Sequence, residues 1–198
     1  MNKKAGKNEV YNVILSRRSI RRFQQKRIPI GTLKKMVNTA RLAPSAANLQ
    51  PLEFFIVNKK DLCSKVFETL GWAGYIKPKW TPDVNERPTA YIIILVKNPN
   101  KNPWYIRDAS IAAAYITIAA ESEGIGSCIL CKIDKEKLQK NLDIPKDYIV
   151  DSVIALGYQA EHPVVEKLVD SVEYWRDEKG VLHVPKRSLK DVVHINRF

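Results

Sequence analysis

Residues 42–57 read LAPSAANLQPLEFFIV, and the two halves of this stretch obey different physics. Pro44 to Pro51 is turn chemistry built from small side chains, the composition of a backbone that passes close to another body. Leu52 to Val57 is a short strand-like run. Upstream, Leu33, Met36, Val37 and Ala40 recur at the spacing of one helical face with Lys34, Lys35 and Asn38 opposite, so Thr32–Ala43 is read as a surface helix that Pro44 ends. Downstream, Thr89 to Val96 (TAYIIILV) is continuously apolar, the signature of a strand covered on both faces.

Working outward, Lys59–Leu70 reads as a helix, and Gly71–Pro88 as an irregular cover carrying Trp72, Tyr75 and Trp80. Asp108–Glu123 is helical and apolar almost all round, so other elements must cover it, which predicts a subunit interface. Gly124-Ile-Gly126 stops that helix. Ser127–Cys131 and Val150–Tyr158 are further strands, and Asp134 caps a short helix to Leu142. No composition shift marks a domain boundary, so residues 1–198 are read as one domain. Residues 159–198 form an extension expected to pack on a partner chain.

The apolar stretch Ala109–Ala120 spans 12 residues, too short for a hydrocarbon layer of about 30 Å, so no membrane span is expected. The start, MNKKAGKNEV, lacks the apolar block of a secretory signal, which points to the cytoplasm. Cysteines number 3, an odd count that makes no disulfide framework.

The net charge is +12, and its location matters more than its size. Residues 1–41 hold 12 basic side chains against Glu9 alone, whereas residues 42–198 hold 21 bases and 20 acids. A basic opening attracts anions: nucleic acid, a lipid surface or a phosphate-bearing small molecule. Its densest part is Ser16-Arg-Arg-Ser-Ile-Arg-Arg-Phe23, where planar guanidinium forks and a hydroxyl suit a phosphate. A nucleic-acid module would use the same arginines, but neither interleaved aromatics nor a helix-turn-helix accompanies them. There is no phosphate loop and no H-E-x-x-H, and Gly124-x-Gly126 falls short of a dinucleotide fingerprint. Cys128-Ile-Leu-Cys131 has no second ligand pair for zinc. In a strand its two thiols face opposite sides, and both are read as small buried residues.

Together, RRSIRRF (Arg17–Phe23) and the later APSAANLQP closely resemble the nitroreductase family of flavoproteins, with R-R-S-x-R-x-F followed by A-P-S-x-x-N-x-Q-P. Asp108, GIGSC at Gly124–Cys128, Ile133-Asp134, Ile144-Pro145, Ala155-Leu-Gly-Tyr158 and Pro185–His194 continue in family order, covering residues 10–198. The resemblance implies an α+β fold, a mixed central sheet flanked by helices, in an intertwined homodimer with FMN at its interface. By position, Arg17, Ser19 and Arg21 are similar to ligands of the FMN phosphate and ring, with Arg18 assisting and Lys186 and Arg187 completing the clamp. Pro44, Ser45, Ala46, Asn48 and Gln50 resemble the segment that reaches the flavin from the partner subunit. The peptide N–H near Cys131, flanked by Leu130 and Lys132, resembles the donor to flavin N5. The implied activity passes hydride from NADH or NADPH through FMN to a small-molecule acceptor such as a nitroaromatic or quinone. Reductive dehalogenation, flavin cleavage and ene reduction are the narrower alternatives.

Overall fold

The computed structural model describes residues 8–97 and 103–197; Lys3, Lys4 and Lys7 of the basic opening lie outside them. Four strands form the central sheet in the order β1 (Leu52–Val57), β2 (Ala90–Lys97), β4 (Tyr148–Tyr158), β3 (Ile125–Leu130). Every neighbouring pair of these strands runs antiparallel. A parallel partner joins the central sheet at its β3 edge, where Ser19 bridges Ser127 of β3, and a further parallel pair lies in the separate small sheet described below. Residues 90–96 of β2 are all buried, as a strand between two covered faces must be.

Two apolar layers sandwich the sheet. On one face α2 (Ile30–Ala40) and α4 (Tyr105–Ser122) pack Leu33, Met36, Ala109, Ala112, Ala113 and Ile116 against Ile92, Ile94, Ile154 and Leu156. On the other, α3 (Lys60–Phe67) and α5 (Lys135–Asn141) cover Tyr91, Ile93, Val153 and Ala155. Asp134 caps α5 as expected, accepting from the Lys137 N–H at 3.1 Å. The small residues of α4 explain its close approach to α2, yet Ile106, Ile111 and Tyr115 remain exposed on its outer side. The first helix, α1 (Glu9–Ser16), buries no residue and exposes Val10, Tyr11, Ile14 and Leu15.

The C-terminal residues contain more strand than their composition announced. β5 (Val164–Lys167) pairs in parallel with β7 (Leu182–Lys186), which pairs antiparallel with β6 (Trp175–Arg176). His183 locks this small sheet: its ring stacks on Trp175 at 4.2 Å, and its nitrogens meet Glu166 at 3.1 Å and Asp177 at 3.3 Å. The segment Gly71–Pro88 is irregular, as read, but far from loose. Trp72, Ala73, Pro82 and Pro88 are buried, and Trp72 stacks on Phe67. Among the described residues no helix is long and apolar enough to cross a membrane.

Candidate functional site

The arginine segment is not a solvated charge run. After α1 ends, the chain runs beside β3, where the Ile20 N–H donates to the Ser127 carbonyl at 2.9 Å. Ile20 and Phe23 are buried completely or nearly so. Two glycines, directly paired across β3 and β4, make room for them. A Cβ at Gly126 would stand 2.9 Å from Ile20 Cβ, and one at Gly157 2.8 Å from Phe23 Cβ, distances that no side chain tolerates without the segment moving away. The GIG and ALGY stretches therefore have a physical role that spacing alone does not express. They let an arginine-bearing strand lie flat on the sheet edge.

A buried carboxylate fixes the segment's backbone. Glu161, 8% exposed, accepts the Arg21 N–H at 2.5 Å and the Arg22 N–H at 3.2 Å through Oε1, and Arg176 Nη2 at 2.6 Å through Oε2. The four arginines then part company. Arg22 reaches Glu86 at 3.3 Å and lies over the Trp80 ring. Arg18 donates to the Arg17 carbonyl at 2.6 Å, and burial, with repulsion from Arg17, lowers its pKa. Arg17 has no ion pair through its guanidinium among the described residues. Arg21 lies over the Tyr174 ring at 4.6 Å, and its Nε is buried without a hydrogen-bond acceptor. Arg17 and Arg21 both act on Cys128: burial pushes that thiol up in pKa, and the two cations oppose the shift.

The thiols of the C-x-x-C correct one reading. Cys128 is buried on β3, but Cys131 is exposed, because the strand ends at Leu130 and the next residues turn toward α5. Lys132 runs its aliphatic stem along Gly71, where a Cβ would meet Lys132 Cδ at 2.5 Å, and its carbonyl accepts the Gly71 N–H. Leu130, Cys131 and Lys132 thus share the β3 edge of the molecule with Arg17, Ser19 and Arg21.

The other two groups of expected site residues lie elsewhere in the chain. Pro44–Gln50 leads into β1, on the opposite edge of the sheet, about 14 Å from β3 at three strand spacings. Ala47, Asn48 and Gln50 have positive φ of 48°, 55° and 48°, a left-handed backbone that suits Asn48 and is uncommon for Ala47 and Gln50. Asp108, buried at the start of α4, accepts the Ala46 N–H at 2.9 Å, and a cleft opens between Pro44, Ser45, Gln50, Leu52 and Phe54. Lys186 and Arg187 are exposed at the end of β7. Arg187 donates to the Asp191 carbonyl within a turn held by Ser188 and Asp191. Among the described residues no hydrogen bond or ion pair joins either group to the arginine segment.

Sequence reasoning missed Glu161, Arg176 and Tyr174. A glutamate beside His162 and Pro163 carries no motif, and its partners lie 140 and 15 residues away.

Fold and site together define an α+β protein with a cationic cradle on one edge of its sheet and a small-residue cleft on the other. The chain belongs to the nitroreductase family, whose model matches residues 14–158. A provisionally named NADH dehydrogenase/NAD(P)H nitroreductase of Methanothermobacter thermautotrophicus is 31% identical over 172 residues, covering 84% of this chain and 86% of that one. An iodotyrosine deiodinase of Thermotoga neapolitana is 24% identical over 166 residues, covering 75% of this chain and 88% of its own. Among solved structures, an FMN-dependent nitroreductase of Clostridium difficile superposes with a TM-score of 0.68 at 25% identity, over 95% of this chain and 99% of that one.

Proposed function

We propose that this chain is an FMN-dependent oxidoreductase that takes hydride from NADH or NADPH and gives it to a small organic acceptor, working in the cytoplasm as a homodimer. The observation that carries the reading is the pair of cations, Arg17 and Arg21, without carboxylate partners among the described residues while Arg22 and Arg176 are neutralised. A phosphate monoester suits that vacancy in charge: two guanidinium forks and the Ser19 hydroxyl offer donors to its oxygens. When bound, FMN supplies reversible hydride acceptance at its N5, so no acid–base side chain is required of the protein.

The chain's own residues bind and orient. Arg17, Ser19 and Arg21 grip the phosphate, with Arg18 bracing the segment's backbone. Leu130, Cys131 and Lys132 stand beside the reacting edge, with the peptide N–H near Cys131 as donor. Pro44, Ser45, Ala46, Asn48 and Gln50 approach the ring from the partner subunit, where small side chains permit backbone contact and Asn48 can both donate and accept. Lys186 and Arg187 add positive charge. The distance between the β3 and β1 edges supports two chains per site, because one chain presents its two ligand groups on opposite sides of its own sheet. The exposed apolar residues of α1 and α4 supply a surface for the second copy to cover.

A nitroaromatic or quinone is the acceptor we favour, supported by the name of the 31% identical relative. Reductive dehalogenation is the second reading, supported by the deiodinase relative. The test is optical. Full-length protein reconstituted with FMN should be yellow, bleach with NAD(P)H under nitrogen, and regain colour with a nitroaromatic or, on the second reading, with a halotyrosine. A protein that takes up no FMN and stays colourless would overturn the proposal.

A further inference from the structure

We propose that Glu161 is a positioning residue for phosphate recognition: by seating the Arg21 and Arg22 backbone and occupying itself with Arg176, it keeps the Arg21 guanidinium available to an anion. The inference rests on the FMN reading but concerns a residue outside every motif of the family resemblance.

A carboxylate as buried as Glu161 must be compensated by hydrogen bonds and opposite charge. Its two oxygens divide that task. Oε1 takes only peptide N–H groups, from Arg21 and Arg22, and Oε2 takes the Arg176 guanidinium. The Arg176–Glu161 pair is itself secluded, its side chains 11% and 6% exposed. Backbone donors satisfy a lone pair without consuming a cation, so the carboxylate holds the peptide of Arg21 while leaving its side chain unpaired. Were Arg176 absent, Oε2 would lose its cation, and a guanidinium of the segment whose backbone Glu161 already holds could take its place, cancelling internally the charge meant for the ligand.

The neighbouring contacts complete the sorting. Arg22 is held by Glu86, and both Arg22 and Arg176 lie over the Trp80 ring, at 5.7 and 5.1 Å. Two arginines therefore face the Gly71–Pro88 cover. Arg21 turns instead over Tyr174, which meets Tyr75 edge-on. A face-on aromatic contact steadies a guanidinium and leaves its charge intact.

The sign of one substitution separates positioning from simple electrostatics. If Glu161 acted only as a negative charge near the anion site, Glu161→Gln would strengthen phosphate binding. Positioning requires the reverse, because the amide loses the charge that restrains Arg176 and weakens the grip on two peptide N–H groups. Flavin-free full-length protein, as wild type and Glu161→Gln, would be titrated with FMN and with riboflavin, which lacks the phosphate, and melted without flavin. The expected result is an FMN Kd raised roughly tenfold or more, the scale of one charged hydrogen bond, with riboflavin affinity within about twofold and the melting curve still cooperative. An FMN Kd unchanged or lowered overturns the proposal. So does an equal loss for both flavins, which marks a purely structural residue. Should Glu161→Gln not fold, Arg176→Gln frees the carboxylate to capture Arg21, and the same phosphate-selective loss is expected; no such loss overturns the proposal. Wild-type protein that binds neither flavin refutes the FMN reading itself, a distinct outcome.

Discussion

The two segments proposed to meet at the flavin are built on one device with opposite content. At the β3 edge, Glu161 takes the peptide N–H groups of Arg21 and Arg22. At the β1 edge, Asp108 takes that of Ala46. In both places a buried carboxylate secures irregular backbone that has no ladder of its own. The arginine segment is also pinned by apolar side chains, Ile20 and Phe23, sunk over two glycines. Pro44–Gln50 has no such anchor, and Ala47 to Gln50 are exposed. One segment is a rigid presenter of charge. The other is a thin strip of exposed backbone, and the contrast suits the proposed phosphate grip on one side and the proposed contact with a flat ring on the other.

That contrast can be broken, and the largest effect should fall on the pinned side. Phe23→Ala empties a fully buried ring site and should cost about 3–5 kcal/mol, lowering Tm by roughly 6–20 °C at about 2–4 °C per kcal/mol. A shift under about 2 °C would mean that the segment is not held by packing. Next, Arg21→Ala should weaken FMN binding by about 1.5–3 kcal/mol with little change in the flavin-free melt, as read by equilibrium dialysis; unaltered FMN affinity would remove Arg21 from the phosphate grip. On the opposite edge, Asp108→Ala strips the acceptor from the Ala46 N–H and should cost about 1–3 kcal/mol in urea unfolding, placing its carboxylate on a par with other buried acceptors. The smallest effect belongs to Ser45→Ala, which deletes an exposed 3.2 Å acceptor for the Gln50 N–H. It should shift stability by only about 0.5–1 kcal/mol, and a larger loss would show that the strip is anchored more firmly than its exposure implies.

Local chemistry carried much of this into view early. The run TAYIIILV declares a strand covered on both sides because only continuous apolarity suits that place, and Asp134 declares a helix start through its carboxylate. The charge density of Arg17–Arg22 announces an anion. Other features stayed silent. Glu161 looks like any surface acid in a loop, and the strands β5 to β7 are short pieces whose pairing depends on partners up to about twenty residues off. Cys131 was expected inside a strand that stops one residue before it, since a strand end is set by what lies beside it and not by its own side chain.

What the sequence by itself determined is composition with a period: which stretches are apolar enough to be inside, where small and turn-forming residues interrupt them, and that cations crowd one short segment. Only the tertiary structure decided which of those cations remain unpaired. Pairing is a matter of distance between groups remote along the chain, and neutralisation of Arg22 by Glu86 and of Arg176 by Glu161 exists only once the sheet edge, the cover segment and the small C-terminal sheet have come together.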